Sequence, residues 1–383
     1  MEIIIGLIII VLCCLVIWRA SDGFEVAADY LGRDLSDGVR GATLNAIGSS
    51  MPELFTTLFF FFYYFYFLDE PLRANDGFAG GIGTTAGSAI FNGMIIPALV
   101  IMVVIYKGKT RRVPVSRKVI LRDGISLILA EIGLIFLISG TTLYYWHGLI
   151  LMGMYFVYIT VVFRTMTKDA TPEVHAAEDY YQNDGNGNML LQVISLDLAP
   201  IFVKKEIKRG SAWSLLIFSM LIIGLACFFL VYACELSADA MGINTYFVAV
   251  ILASAATSVP DTILSYRDAM RGEYDDAVAN ALGSNIFDVC FALGFPLFIF
   301  TAIHGPLEMN PAVVDDITEL RVLLVFFTFA AFIVYIIGPT LGKARAGSLF
   351  LLYGIFTFYI FSKAYELEWA VQLGKVIRGV LGG

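Results

Sequence analysis

The stretch Ser49-Ser50-Met51-Pro52-Glu53 has a counterpart in the second half of the chain, Thr257-Ser258-Val259-Pro260-Asp261, and both read hydroxyl, hydroxyl, apolar, proline, acid. Further on, Gly87-Ser88-Ala89-Ile90-Phe91-Asn92 answers Gly283-Ser284-Asn285-Ile286-Phe287-Asp288, with Thr84 opposite Asn280. Two motifs recurring in the same order mark an internal repeat. The spacing between them is longer in the first half, which carries an extra aromatic run at 59–67 and a turn at 69–76. That insertion is expected to be peripheral.

The sequence around these motifs belongs in lipid. Of 383 residues, 58% are hydrophobic and only 15% charged, with a mean hydropathy of +0.79, a balance that no soluble domain of this length shows. A net charge of -8 argues against a nucleic-acid partner. A helix needs roughly 20 apolar residues to cross the hydrocarbon core. Apolar segments fall at 2–31, 38–67, 78–106, 118–139, 142–163, 212–238, 243–270, 275–302, 319–340 and 345–365. This pattern predicts an all-α polytopic membrane protein of about ten transmembrane helices, with the lipid bilayer as its partner. The first segment is weakest after Trp18, where Asp22, Glu25, Asp29, Arg33 and Asp34 interrupt it. Its start lacks the basic flank and small-residue cleavage site of a signal peptide, so it is kept as a helix. Cys13, Cys14, Cys227, Cys234 and Cys290 sit in apolar stretches without metal-ligand spacing and imply no disulfide framework.

Positive charge orients the spans. Lys107, Lys109, Arg111, Arg112, Arg117, Lys118 and Arg122 follow the third span, and Arg164, Lys168, Lys204, Lys205, Lys208 and Arg209 follow the fifth. Both connections are expected to be cytoplasmic, as is the turn with Lys343 and Arg345. Both termini then face outward from the plasma membrane. Each half holds an odd number of spans, so the second half enters from the opposite side and the repeats are inverted. The expected organisation is a first repeat at 1–163 with its motifs at about 39–99, a cytoplasmic loop at 164–210, and a second repeat at 211–383 with its motifs at about 243–296. Within the loop, Asp184-Gly185-Asn186-Gly187-Asn188 hints at a calcium loop but lacks the glycine at its sixth position and the closing glutamate of an EF-hand. It reads as solvated chain, and 190–207 as a short interfacial helix.

A carboxylate at membrane depth costs at least ~2.5 kcal/mol even on lenient scales, so Glu53, Asp261 and Asp288 should face protein, water or an ion. A structural ion pair is the bland alternative, yet no Lys or Arg lies at comparable depth in the spans of Glu53 and Asp261. For Asp288 a protonated acid hydrogen-bonded between helices would also serve. Each proline before an acid removes a backbone donor and clashes with the carbonyl four residues earlier, so the helix should bend or open there. Ser49 and Thr257 lie one helical turn before their acids, which puts hydroxyl and carboxylate on one face. Ser88 and Asn92, and Ser284 and Asp288, repeat that spacing. The resulting ligand set is all oxygen, from Glu53, Asp261, Asp288, Ser49, Ser50, Thr257, Ser258, Ser88, Ser284, Thr84, Asn92, Asn280 and Asn285. Such hard ligands suit calcium, and sodium can use the same atoms. Overlapping sites for two cations support antiport.

With these residues in place the chain resembles the cation/calcium exchanger superfamily, and within it the potassium-dependent sodium/calcium exchangers. The resemblance rests on Gly41-Ala42-Thr43, Gly48 to Thr56, Gly83-Thr84 and Gly87 to Asn92 in the first repeat, and on Ser258 to Asp261, Asp276-Ala277-Val278, Asn280 and Gly283 to Asp288 in the second. It implies exchange of Na+ for Ca2+ with Glu53 and Asp261 as central calcium ligands, Ser50, Ser88, Ser258 and Ser284 taking sodium, and Ser49 and Thr257 assisting. An acid at Asp288 accompanies potassium cotransport in the family, although relatives with the same aspartate dispense with K+. No cofactor is implied, and self-association into a homo-oligomer is left open. Two other readings stand beside this one: a calcium/proton antiporter of the same fold and, more remotely, an intramembrane aspartyl protease built on the paired acids.

Overall fold

A computed structural model describes residues 1–32, 46–68, 74–165, 192, 195–203, 207–338 and 340–379. Its first half comprises α1 (Glu2–Leu31), the broken pair α2 (Ala46–Ser49) and α3 (Met51–Tyr66), α4 (Ala74–Tyr106), α5 (Arg117–Leu137) and α6 (Tyr145–Thr165). After the one-turn α7 (Ala199–Phe202), the second half opens on α8 (Arg209–Met241). Its next span runs through α9 (Thr245–Val248), a π-helical turn at Ala249–Ala253, α10 (Ser254–Thr257) and α11 (Val259–Arg271). Then follow α12 (Tyr274–Phe287), a π-helical turn at Asp288–Ala292, α13 (Leu293–His304), α14 (Pro311–Ile336), α15 (Lys343–Ala364) and α16 (Glu368–Gly379). The protein is an all-α polytopic membrane protein.

Eight helical stretches among the described residues are long and apolar enough to cross a membrane on their own. Two more complete the bundle without meeting that standard. One is α3, which is short because Ser50 separates it from α2. The other is α5, whose first turns carry Arg117, Lys118, Arg122 and Asp123.

Two small antiparallel strand pairs tie the connections together and reveal the inversion. Val113–Pro114 (β1), between α4 and α5, pairs with Thr340–Leu341 (β4), between α14 and α15. Thr142–Leu143 (β2), between α5 and α6, pairs with Leu307–Glu308 (β3), between α13 and α14. The loops equivalent by repeat order are β1 with β3 and β2 with β4. Equivalent loops never pair, and each binds the other's neighbour one span away. That arrangement requires the two halves to run through the bundle in opposite senses.

Several expected boundaries shift for local reasons. The span expected from residue 142 begins as strand β2, and its helix starts at Tyr145. The span expected from residue 319 starts at Pro311, because the Asn310 side chain caps it by accepting from Ala312 N at 3.1 Å and proline suits the first turn. Its acids Asp315 and Asp316 fall in the expected connection rather than in the expected span. Helix α16 was not anticipated at all. Of the interfacial helix expected at 190–207, the described residues show Ala199–Phe202 and Gln192 as helical, and the 184–188 motif lies outside the described residues, as do Gly41 to Thr43.

The aromatic insertion is not peripheral. It lengthens α3, and Phe60, Phe61 and Tyr64 are fully buried. Phe61 packs edge-on against Phe78 at 5.4 Å and Phe300 at 5.7 Å, and Tyr64 donates to Glu235 at 2.5 Å. Burial of apolar side chains falls into two clusters. The larger joins α4, α5, α6, α12, α14 and α15. The smaller is built mainly by α1 and α8, with Ile10, Ile17 and Ala20 against Leu215, Leu230 and Cys234. Outside both, residues such as Leu12, Leu129, Phe156, Leu221 and Phe358 face outward as a lipid-compatible surface.

Candidate cation site

The two proline motifs break their helices at equivalent residues. Ser50 (φ -93°, ψ 7°) separates α2 from α3, and Ser258 (φ -77°, ψ 3°) separates α10 from α11. Both sit near the bridge region rather than in helix. Pro52 and Pro260 cannot donate to the carbonyls one turn back, those of Gly48 and Ala256. The breaks are single-residue steps rather than open loops, since Leu54 N still reaches Ser50 O at 3.2 Å and Thr262 N reaches Ser258 O at 3.0 Å. Each acid thus lies in the first turn after a step, on the helix end whose dipole favours negative charge.

Helix α4 threads between these motifs. It comes close because Gly87 has no side chain: a Cβ there would strike Val250 O and the Ser254 side chain. The approach places Ser88 at the centre. Its Oγ lies 3.1 Å from Glu53 Oε1, 3.0 Å from Asp288 Oδ2 and 2.9 Å from Ser258 Oγ. One turn on, Asn92 donates through Nδ2 to Asp261 Oδ2 at 3.0 Å, with Ser88 Oγ at 3.3 Å and Ser284 Oγ at 3.5 Å. The hydroxyls cross between repeats: Thr257 faces Glu53, and Ser49 faces Asp261. Ser50, Glu53, Ser88, Asn92, Thr257, Ser258, Asp261, Ser284, Asn285 and Asp288 are all fully buried.

Some expected residues stand aside. Thr84 donates to its own helix at Gly80 O (2.9 Å) and does not join the network. Asn285 donates to Ala89 O at 2.9 Å and ties α12 to α4. Asn280 reaches toward Asp261 while donating to Ser265 Oγ at 3.2 Å. Ser50 Oγ faces Asp288 without forming a hydrogen bond.

Proton counting defines what the cluster can do. A hydroxyl has one proton to give, so Ser88 can donate to Glu53 or to Asp288 but not to both. If Ser258 and Asn92 donate to Ser88, both its lone pairs are used, and the second carboxylate contact has no proton. In addition Glu53 Oε2, Asp261 Oδ1, Asp288 Oδ1 and Asn92 Oδ1 are buried without a hydrogen-bond partner. The cluster is therefore rich in oxygen and poor in positive charge, which a cation or protons would offset. Among the described residues no three His, Cys, Asp or Glu side chains close into a metal-binding group. A cation held here would draw on hydroxyl and amide oxygens as well as carboxylates.

Other buried acids were missed in the sequence. Glu131, fully buried within α5, accepts from Thr328 at 2.7 Å. Glu235 accepts from Tyr64 and Thr245. The isolated acid in the apolar run of α5 was the available signal for Glu131. Asp123 is held by Arg122 at 2.6 Å and Tyr158 at 3.3 Å, an ion pair next to a phenol.

Broken helices meeting around a buried oxygen cluster, in a bundle of inverted repeats, define a membrane ion transporter rather than an enzyme. The chain belongs to the sodium/calcium exchanger family: the family model, described as sodium/calcium exchanger protein, matches residues 5–164 and 211–362. Among curated relatives, it is 31% identical over 182 residues to human sodium/potassium/calcium exchanger 3, a stretch covering 45% of this chain and 26% of that protein. A sodium/potassium/calcium exchanger of Drosophila melanogaster is 29% identical over 163 residues, covering 42% and 18%. The matched stretches thus span between 18% and 26% of those relatives' length. The fold is shared with the H+/Ca2+ exchanger CAX, at a TM-score of 0.63 and 16% identity over 98% of this chain and 92% of that one. It is shared also with the sodium-calcium exchanger NCX_Mj, at 0.56 and 19% over 92% and 97%. Family membership sets the aspartyl protease reading aside.

Proposed function

We propose that the chain is a calcium antiporter that exchanges Na+ for Ca2+ across the plasma membrane by alternating access, with both termini outside. The observation that carries this reading is the missing proton around Ser88, whose hydroxyl touches both Glu53 and Asp288 and can satisfy one. Calcium would be held by Glu53 and Asp261, with help from Ser49 and Thr257. Sodium would use the hydroxyls of Ser50, Ser88, Ser258 and Ser284. A divalent ion favours two carboxylates and many oxygens, whereas a monovalent ion can settle among hydroxyls beside one charge. Because the two sets share atoms, occupation by one ion weakens the other, and the exchange follows. Asp288 is the position at which K+ would travel with Ca2+, as the names of the sodium/potassium/calcium exchanger relatives suggest.

Proton coupling is the competing reading, since a proton would also offset the deficit and an H+/Ca2+ exchanger shares the fold. Calcium uptake by vesicles carrying the purified chain separates them. A sodium gradient should drive uptake, with a further gain in K+. Uptake that ignores sodium and follows a pH gradient would sink the sodium reading.

A further inference from the structure

A small cavity runs outward from the site between α1 and α11. Ser49 and Pro260 lie at its inner end, and Ser21, Asp22 and Glu25 on its α1 wall. Ser21 Oγ and Trp18 Nε1, which line it, are buried without a hydrogen-bond partner, so the passage is polar along one side. About two turns along α11 from Pro260, at the outer end of this passage, stands Arg267. Its Nη2 is 2.7 Å from Asp22 Oδ1 and its Nη1 is 2.8 Å from Glu25 Oε2. The next residue back, Tyr266, accepts from Lys107 Nζ at 2.8 Å, which places this mouth at the end of the bundle carrying the basic connection after α4.

We propose that Arg267 gates this mouth: its guanidinium occupies the acidic pair that a cation leaving the site meets next, and the two ion pairs must part before the cation passes. The inference rests on the reading of the central cluster as a transported-cation site. Two further features support it. A guanidinium and a free cation on the same carboxylates repel, so both cannot be accommodated at full strength. And Asp22 and Glu25 ride on α1, which packs its apolar residues chiefly with α8 and enters the larger core through Phe24 and Ala28 alone, so α1 can shift against α11 with most of that core left in place. The Arg267 side chain is 34% exposed, so this mouth should respond to salt.

The test labels a cysteine placed in the passage, Ser21→Cys, with a membrane-impermeant thiol reagent applied to the full chain in vesicles from either face. Arg267→Gln should speed labelling from the basic-loop face by about two- to fivefold, the scale of losing a partly exposed charge pair. Arg267→Lys should stay slow, and Asp22→Asn combined with Glu25→Gln should be fast, which covers the case in which Arg267→Gln fails to fold. Equal rates in all variants would overturn the gate. Labelling does not depend on which ions are transported, so a failed sodium-flux experiment leaves this result interpretable.

Discussion

Asn92 on α4 donates its side-chain N–H to Asp261 on α11 across 3.0 Å, joining the first repeat's second motif to the second repeat's first. The bond holds one carboxylate oxygen and leaves Asp261 Oδ1 without a hydrogen-bond partner. Replacement by Asn92→Leu keeps the volume and removes the donor. We expect calcium flux to fall at least tenfold and stability by about 1.5–3 kcal/mol, the range for a hydrogen bond to a charged group. Unchanged flux and melting temperature would remove Asn92 from the site.

Ser88→Ala deletes the hydroxyl shared by Glu53, Asp288 and Ser258 while leaving the carboxylates in place. The half-saturating sodium concentration should rise by about tenfold, with a smaller effect on calcium, because roughly 1.4 kcal/mol of ligand interaction is lost from the monovalent ion. Equal shifts for both ions would argue against a sodium role for this hydroxyl.

Glu53 and Asp288 should separate by role. Glu53→Gln removes one of two charges proposed to balance calcium, and transport should be abolished while the chain still purifies as a single species. Asp288→Asn should retain sodium-driven calcium uptake and lose any stimulation by K+. Normal calcium transport by Glu53→Gln would refute the central site.

Gly87→Val tests the close approach of α4. A side chain there meets the Val250 carbonyl and Ser254, neither able to retreat without moving backbone. Destabilisation of about 1–3 kcal/mol is expected from overpacking, read as a lowered melting temperature. Flux should fall with it, since Ser88 is the next residue.

Helix α16 is fastened to α14 through Glu319, which accepts from Tyr359 at 2.5 Å, Lys363 at 2.8 Å and Arg378 at 3.0 Å. Glu319→Ala leaves two cations without this carboxylate and should cost about 3–5 kcal/mol, as for other partly buried networks with one partner removed. Limited proteolysis should then cut between α15 and α16 faster than in the parent chain. An unchanged cleavage rate would show that α16 is held by other contacts.

Much of the architecture is legible in the residues because lipid makes the physics simple: a span must be apolar for about 20 residues, and its loops report their side by charge. The exceptions follow the same logic. Helix α5 and the first turns of α14 hide charges inside the bundle, at Asp123, Glu131 and Glu319, so hydropathy understates them. The aromatic run at 59–67 reads as an insertion at the edge, yet whether Phe60 and Tyr64 face lipid or protein depends on α4 and α8.

By itself, the order of residues determined membrane residence, the repeat, and the identity of the acids, hydroxyls and prolines in the paired motifs, since each depends only on composition and local spacing. Only the tertiary structure decided that Ser88 stands between Glu53 and Asp288, that Thr84 turns back on its own helix, and that Arg267 closes on Asp22 and Glu25. Apart from the bond of Thr84 to Gly80, those relations join residues far apart in the chain. They arise from how closely helices cross, which is set by packing at positions such as Gly87 and not by either motif alone.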